Sequence, residues 1–476
     1  MKMKKLVALL AAASMSLSLM ACGSTATDDK GAASAAEEKT EAGAEASAEE
    51  ATDAPAEQLP ENEITGDITK DDAFVVWGWN TDFVALKDLL IEKHPEYADR
   101  LVFVNCGGSA TYQDKIDALL DSQDDQLYPD LMLLEAGYVQ KYVLSEDLLP
   151  LSDVGVTSAD LANQFQYNID LGSDKDGVQK ASFWQATPGA FCVRADLAEK
   201  YLGTTDQAEI QKIFASWDSL YEAAKKVNDA SKGKAKLFSG FDDLKYIFLN
   251  GNRSQGWYDE NDTIKMDDAM KVYMEYAKKL YDDGLTFNTD MWSPDWAALK
   301  DGDGETTEAA IAFCGCPWYT YWCLTDKWNG NTILVDAPVQ YYWGGTGLAA
   351  TAGCSDKDMA GQIIKDCTCD KDFMIKIFQK NGDFVNNSES VKEIVANKLE
   401  GTSPFKAYGD QDIPEFFASR GKGIDVSLVR PEDADINETF FPAAVKSFAT
   451  GEKDLDTAVK DFIASVHDKF SYLKAE

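Results

Sequence analysis

The sequence predicts an α/β protein with a parallel sheet, and three observations carry that expectation. Short apolar runs alternate with stretches of helical spacing from Phe74 onward. The body after about Asp71 is long enough for two lobes or one large domain. No apolar run of transmembrane length, about 20 residues, interrupts that body.

The elements follow in order. Phe74-Val75-Val76-Trp77 reads as a strand; Phe83, Leu86, Leu89 and Leu90 recur at helical spacing; Leu101-Val102-Phe103-Val104 is a second strand. Ile116, Leu119 and Leu120 mark another helix, and Asp130 to Leu134 supplies a third strand. Strand, helix, strand, helix, strand calls for parallel pairing with both faces covered. Near the other end, Leu455, Ala458, Val459, Phe462, Ile463 and Val466 trace the buried stripe of an amphipathic helix.

In such sheets ligands bind at the carboxyl edges of strands, where loops and helix N-termini leave backbone donors free. Those edges carry Gly78-Trp79-Asn80, then Asn105 to Ser109, then Glu135 to Tyr138: small, polar and aromatic residues suited to a neutral polar ligand. Cys106-Gly107-Gly108-Ser109 lacks the glycine and lysine spacing of a phosphate loop, which argues against a nucleotide.

Upstream of the body, Met1-Lys2-Met3-Lys4-Lys5 precedes an apolar run from Leu6 to Leu19 and then Met20-Ala21-Cys22, the layout of an export signal, residues 1–22. Residues 23–70 are dominated by Ala, Glu, Thr, Ser, Asp and Gly and cannot bury enough surface to offset ordering entropy, so they read as an acidic tether. With 45 basic and 82 acidic residues and a net charge of -37, the chain is unsuited to nucleic acid or anionic lipid as a partner. Beyond Cys22, the cysteines at 106, 192, 314, 316, 323, 354, 367 and 369 have no zinc-site spacing and are read as structural or free thiols, with no metal and no cofactor.

Leu19-Met20-Ala21-Cys22 resembles the bacterial lipobox, which implies lipidation at Cys22 and two acyl chains holding the protein on the extracytoplasmic face of the cell membrane. The order Val76-Trp77-Gly78-Trp79-Asn80, Tyr112 to Ile116, Tyr128-Pro129-Asp130-Leu131, Phe183-Trp184-Gln185 with Pro188 to Phe191, and Ala309 to Ala312 through Pro317-Trp318 is similar to the solute-binding lipoproteins of bacterial carbohydrate ABC transporters, the broad group of the maltose-binding protein. Trp343-Gly344-Gly345-Thr346 and the stretch from Phe440 to Phe462 fit it too, while Val193 before Arg194 and the single glycine of Gly409-Asp410-Gln411 depart from the pattern.

The resemblance implies a two-lobe periplasmic-binding-protein fold of type II-like architecture with the ligand cleft at a hinge. Lobe 1 is expected over 71–185 plus 349–398 and lobe 2 over 186–348 plus 399–476, with crossings near Gln185, Gly347 and residue 400. It also implies that a monomer hands its ligand to the transmembrane permease subunits of an ABC importer.

Aromatic content points independently to a sugar, because a pyranose presents apolar C–H faces to flat rings and a hydroxyl rim to Asp, Asn, Gln and Glu. Trp184 and Trp318, which match the ligand-facing segments that the resemblance implies as well as a loop context, are the leading platform candidates, followed by Trp79, Asn80, Glu135 and Trp343, with Trp292 beside Trp296 forming another platform. Asp82, Gln185, Tyr319 and Gly344 are expected at the rim, whereas Trp217 and Trp328 are assigned to packing. Asp301-Gly302-Asp303-Gly304-Glu305 reads as a turn rather than a calcium loop.

Two alternatives remain at this stage. A surface glycoside hydrolase needs only two spaced carboxylates, although His94 and His467 are the only histidines and no nucleophile elbow occurs. A binder of another solute, such as a peptide or metal chelate, calls for extended backbone pairing or basic side chains, and Arg253 is the first basic residue to inspect.

Overall fold

Near-continuous apolar runs make the strands of the larger sheet, and their burial on both faces explains why no polar alternation is visible in them. The computed structural model describes residues 62–123, 125–402 and 405–475; the export signal, Cys22 and nearly all of the tether lie outside them. In chain order the strands are β1 (Glu63–Thr65), β2 (Phe74–Gly78), β3 (Leu101–Asn105), β4 (Leu131–Glu135), β5 (Ser182–Phe183), β6 (Ala190–Arg194), β7 (Ala235–Lys236), β8 (Ala309–Ala310), β9 (Ala312–Gly315), β10 (Thr332–Val335) and β11 (Thr346–Ala350).

The first sheet has the order β1-β3-β2-β4-β11-β5. β2 pairs parallel with both β3 and β4, as the strand and helix rhythm predicts. The expectation of a parallel sheet is corrected at the margins: β1 runs antiparallel to β3, and β11 runs antiparallel to β4 and β5. β11 reaches the sheet from far along the chain, so no local crossover fixes its direction.

Helix α1 (Asp82–Lys93) buries Phe83, Leu86, Leu89 and Leu90 against this sheet, and α2 (Ser109–Leu120) follows β3. The buried Asp130 clasps the sheet to the chain entering the helix Lys357–Thr368: it accepts from Val75 N at 2.7 Å and from Ser355 N and Oγ at 2.6 and 2.7 Å.

A second, three-stranded sheet has the order β10-β6-β9, all antiparallel, and β7 pairs with β8 beside it. Segments 184–190 and 341–346 join the two sheets while running alongside each other. Gly189 N donates to Tyr341 O at 2.7 Å, Trp343 N to Thr187 O at 3.1 Å, and Trp184 N to Thr346 O at 3.1 Å. Their closeness depends on Gly189, where a Cβ would lie 2.2 Å from the Tyr341 ring. The Tyr341 hydroxyl in turn lies 2.8 Å from Ala190 O and 2.7 Å from Gly315 O, pinning the crossing to β6 and β9. Further on, Gly330 N donates to Lys406 O and Tyr408 N to Thr332 O, so the chain after the helix Ser388–Asn397 returns to β10.

The C-terminal helix Leu455–Lys469 buries Ala458, Phe462 and Val466, the stripe expected from its spacing. Trp328 is wholly buried and Trp217 stacks on Phe248 with centroids 4.2 Å apart, both as packing. Asp303 accepts from the backbone N of Glu305, Thr306 and Thr307 at 2.8, 2.8 and 2.9 Å, which makes its segment a self-bonded turn. All eight cysteines of the body are free, and six are buried; burial pushes those thiols up, so they are packing groups rather than thiolates. No helix among the described residues is long and apolar enough to cross a membrane.

Candidate ligand site

The residues singled out in the sequence separate into two groups. One is an aromatic cluster on the elements of the second sheet. Trp318 opens the short helix Pro317–Trp322 after β9, where Pro317 at the first position pre-sets the helical φ. Its Nε1 donates to Trp343 O at 3.0 Å, and its ring meets that of Trp343 edge-on with centroids 4.8 Å apart.

Trp292 lies nearly parallel to Trp318, 6.4 Å between centroids at 15°, and within 5.9 Å of Trp343 and 6.0 Å of Trp322. Trp292 is 41% exposed and Trp322 68%, values that set them apart in a body whose other large rings are mostly covered. Trp292 also holds φ at +71°, a left-handed backbone that a bulky side chain adopts only under constraint. Trp296 supports it from beneath at 5.0 Å, its Nε1 donating to the buried Asp243 at 2.6 Å.

Glu135, at the carboxyl end of β4, joins this cluster from the first sheet. Its Oε2 accepts from Gly137 N at 2.7 Å. A Cβ at Gly344 would meet Glu135 Oε1 at 3.2 Å and Trp318 Nε1 at 3.3 Å, so the glycine, at φ +69°, leaves the space that these two groups share. Thr187 Oγ1 holds that turn by donating to Gly344 O at 2.6 Å. Burial first, and the negative charge of Glu438 in addition, push the Glu135 carboxyl up to about 7.

The second group surrounds Asp383 and is a buried clasp. Asp383 accepts from Gln185 Nε2 at 2.8 Å, Tyr321 Oη at 2.6 Å, Trp184 Nε1 at 3.2 Å and Asn381 Nδ2 at 3.3 Å. Beside it, Asp82 is bonded to Asn80 in both directions: Asn80 Nδ2 donates to Asp82 Oδ2 at 2.9 Å, and Asn80 Oδ1 accepts from Asp82 N at 3.0 Å at the start of α1. Burial first, and Asp383 second, push the Asp82 carboxyl up to about 7.

Several expectations change at this point. Trp184 is 0% exposed, with its indole in the clasp, so it offers no free face as a platform. Gln185 is likewise buried and spends its amide on Asp383 and Thr346 N. Tyr319 is buried behind the cluster. Trp79 remains half-buried, edge-on to Tyr112 and Tyr138 at 5.2 and 6.0 Å, apart from the other tryptophans. Arg253 is taken up by a buried ion pair with Asp433 at 2.9 Å.

Sequence reasoning missed Tyr246, Tyr321, Asp383 and Glu438. Tyr246 stacks on Trp343 at 4.7 Å and 26°, and its hydroxyl donates to Glu438 Oε1 at 3.0 Å. Glu438 lies on a π-helical turn, Ile436–Phe440, a geometry that often marks functional positions, but no local sequence signal announces it. Two surface cavities, one of about 430 Å³ lined by Phe287, Asp295, Asp301 and Glu308 among others, and one of about 300 Å³ near Lys278 and Phe448, include none of the expected ligand residues.

Two α/β lobes, joined by paired crossing segments and carrying a partly open aromatic cluster with a carboxylate at its edge, define a hinged solute binder. The model of the bacterial extracellular solute-binding protein family matches residues 97–400, more than half of the chain, and the chain belongs to that family. Its members bind solutes rather than transform them, and they work outside the cytoplasm, so the hydrolase alternative gives way.

Solved structures repeat the fold. A crystal structure of an extracellular solute-binding protein of family 1 superimposes with a TM-score of 0.70 at 17% identity, over 83% of this chain and 99% of that one. An ABC transporter associated binding protein from B. animalis subsp. lactis, in complex with beta-1,6-galactobiose, gives 0.64 at 18% over 85% and 99%. The sugar-binding protein MalE from Xanthomonas citri gives 0.65 at 13% over 83% and 96%.

Proposed function

We propose that this chain is the sugar-capturing component of an ABC importer, tethered through lipid on Cys22 and delivering an oligosaccharide to membrane permease subunits as a monomer. The observation that carries the reading is the cluster of Trp292, Trp318, Trp322 and Trp343, with two rings left open to solvent and the Glu135 carboxylate at the edge. Flat apolar faces beside a hydrogen-bond acceptor match the two surfaces of a pyranose. The galactobiose complex of a protein with the same fold supports the ligand class.

Lobe 1 takes 71–185 with 349–398, its second part carried back to Thr346 because the whole of β11 pairs with β4, lobe 2 takes the remainder of the body, and closure brings the Glu135 side of the first lobe onto the aromatic side of the second. Only the closed form touches the sugar from both lobes, so differential contact is what drives closure. Trp79, Asn80 and Asp82 line the first-lobe edge. The lysine-tipped apolar run ending in Cys22 supports the anchor, which metabolic palmitate labelling of wild type but not Cys22→Ala would register.

A thermal-shift and calorimetric screen of the protein against oligosaccharides, peptides and metal chelates tests the ligand class. A rise in melting temperature with a saccharide recovered unchanged is the expected result. A rise with peptides or chelates alone overturns it.

A further inference from the structure

The charge around the aromatic cluster is lopsided. Glu438, half exposed, is fixed by Lys245 Nζ at 3.0 Å and by the Tyr246 hydroxyl at 3.0 Å, and Tyr246 stacks directly on Trp343. Glu135 reaches the same rings from β4, beside Gly344 and Trp318. The loop carrying Trp292 is flanked by Asp290, paired with Lys446 at 2.7 Å, and by Asp242, whose Oδ2 accepts from Met291 N at 2.9 Å. Beneath Trp296 sits Lys300, its Nζ 3.3 Å from the ring centroid, with Asp243 on the Trp296 indole. Five carboxylates (Glu135, Asp242, Asp243, Asp290, Glu438) thus face three ammonium groups (Lys245, Lys300, Lys446), an excess of two acids around the most open tryptophans of the described residues.

We propose that Trp292 and Trp318, backed by the buried Trp343, together with Glu135 and Glu438 form a subsite for a cationic group, so that the ligand is a saccharide carrying a protonated amine. The saccharide half of this inference rests on the function proposed above; the cationic half rests on the charge and the ring geometry. Indole faces are the most electron-rich aromatic surfaces and attract an ammonium held within about 6 Å of their centroids. Carboxylates at the rim add charge-assisted hydrogen bonds, which are stronger than those to neutral hydroxyls.

A bound ammonium also resolves an electrostatic conflict internal to the site. Glu135 and Glu438 repel one another, and burial opposes ionisation of Glu135, whose carboxyl is pushed up to about 7. A cation between them offsets that repulsion and favours the ionised form of Glu135. A neutral sugar leaves that repulsion in place. The left-handed backbone of Trp292 fits the same account, since a strained ring held open to solvent is a feature that persists where a ligand uses it.

The test is calorimetry on the intact protein with matched probes: chitobiose carrying free amines, its N,N′-diacetyl form, maltose, and choline as a cation without a sugar. The free-amine disaccharide is expected to bind at least about tenfold more tightly than the acetylated one. Glu438→Gln and Glu135→Gln, both isosteric, should remove that preference, with circular dichroism and melting temperature verifying the fold. Equal or tighter binding of the acetylated disaccharide, or binding of maltose alone, overturns the cationic subsite and leaves the sugar reading standing. Binding of choline with no saccharide keeps the cationic subsite and overturns the sugar reading, and binding of none of the probes overturns the inference.

Discussion

Trp184 and Trp292 carry the same side chain and end in opposite settings. The first is wholly buried with its indole N–H on Asp383; the second is 41% exposed on a strained loop among four other tryptophans. The clasp around Asp383 is a solved hydrogen-bonding problem, with four donors converging on one carboxylate. The aromatic cluster is apolar surface left partly uncovered, which a folded chain tolerates where something else covers it. One region holds the crossing segments together, and the other waits for a guest.

Removing the acceptor at the centre of the clasp should give the largest effect. Asp383→Ala leaves the buried donors of Trp184 and Gln185, together with the Tyr321 hydroxyl, without their partner. Each orphaned buried donor costs about 1–3 kcal/mol, so a loss on the order of 3–5 kcal/mol is expected in urea denaturation. Wild-type stability in this variant would break the distinction, because the clasp would then be no more structural than the cluster.

On the other side, Trp318→Ala should leave the fold nearly intact and weaken saccharide binding roughly 10- to 100-fold, about 1.4–2.8 kcal/mol. Calorimetry reads the affinity and thermal unfolding reads the fold. Trp184→Ala, in contrast, should lower stability first, through a cavity and the loss of one of the two bonds to Asp383 Oδ2, which keeps only Asn381 Nδ2. An equal affinity loss in both variants at unchanged stability would merge the two regions.

How much of this was legible in the chain depends on the range of the causes. The β2, β3 and β4 rhythm, α1 and the C-terminal helix follow from local periodicity, and all appear. The antiparallel β11 does not follow, because its partner β4 lies some 200 residues earlier and nothing local fixes its direction. The same holds within the candidate site. Glu135 could be picked out from its edge position, and Trp318, Trp343 and Gly344 from residue type together with the family resemblance, and the structure brings them together. Whether an indole ends buried or open is decided by remote partners: Asp383 is 199 residues from Trp184, and Glu438 is 192 from Tyr246. A lone acidic residue among 82 carries no sign of such a role.

The clasp should also be visible in pH dependence. Asp82 has an ordinary value of 3.8 raised to about 7 in the folded protein by burial and by Asp383. The native state therefore holds a proton that the unfolded chain has released, and stability from this group is present below about pH 4 and lost as pH rises through about 7. Asp82→Asn should flatten that part of the profile and raise the melting temperature relative to wild type at pH 8 more than at pH 5. A difference between the two proteins that is constant across this range would show that the pair does not repel as its burial implies.

The smallest effect sharpens the other side. Trp292 sits at φ +71°, where a β-carbon is strained and glycine is not. Trp292→Gly should therefore be more stable than Trp292→Ala by about 1 kcal/mol, the reverse of the usual order at negative φ. Both variants lose the ring, so both should lose ligand affinity equally, and the stability difference between them isolates the backbone. If alanine proves the more stable, the loop relaxes when the indole is removed. The strain at this position would then belong to the ring's contacts with Trp296, Trp318, Trp322 and Trp343 rather than to a backbone preset to display it.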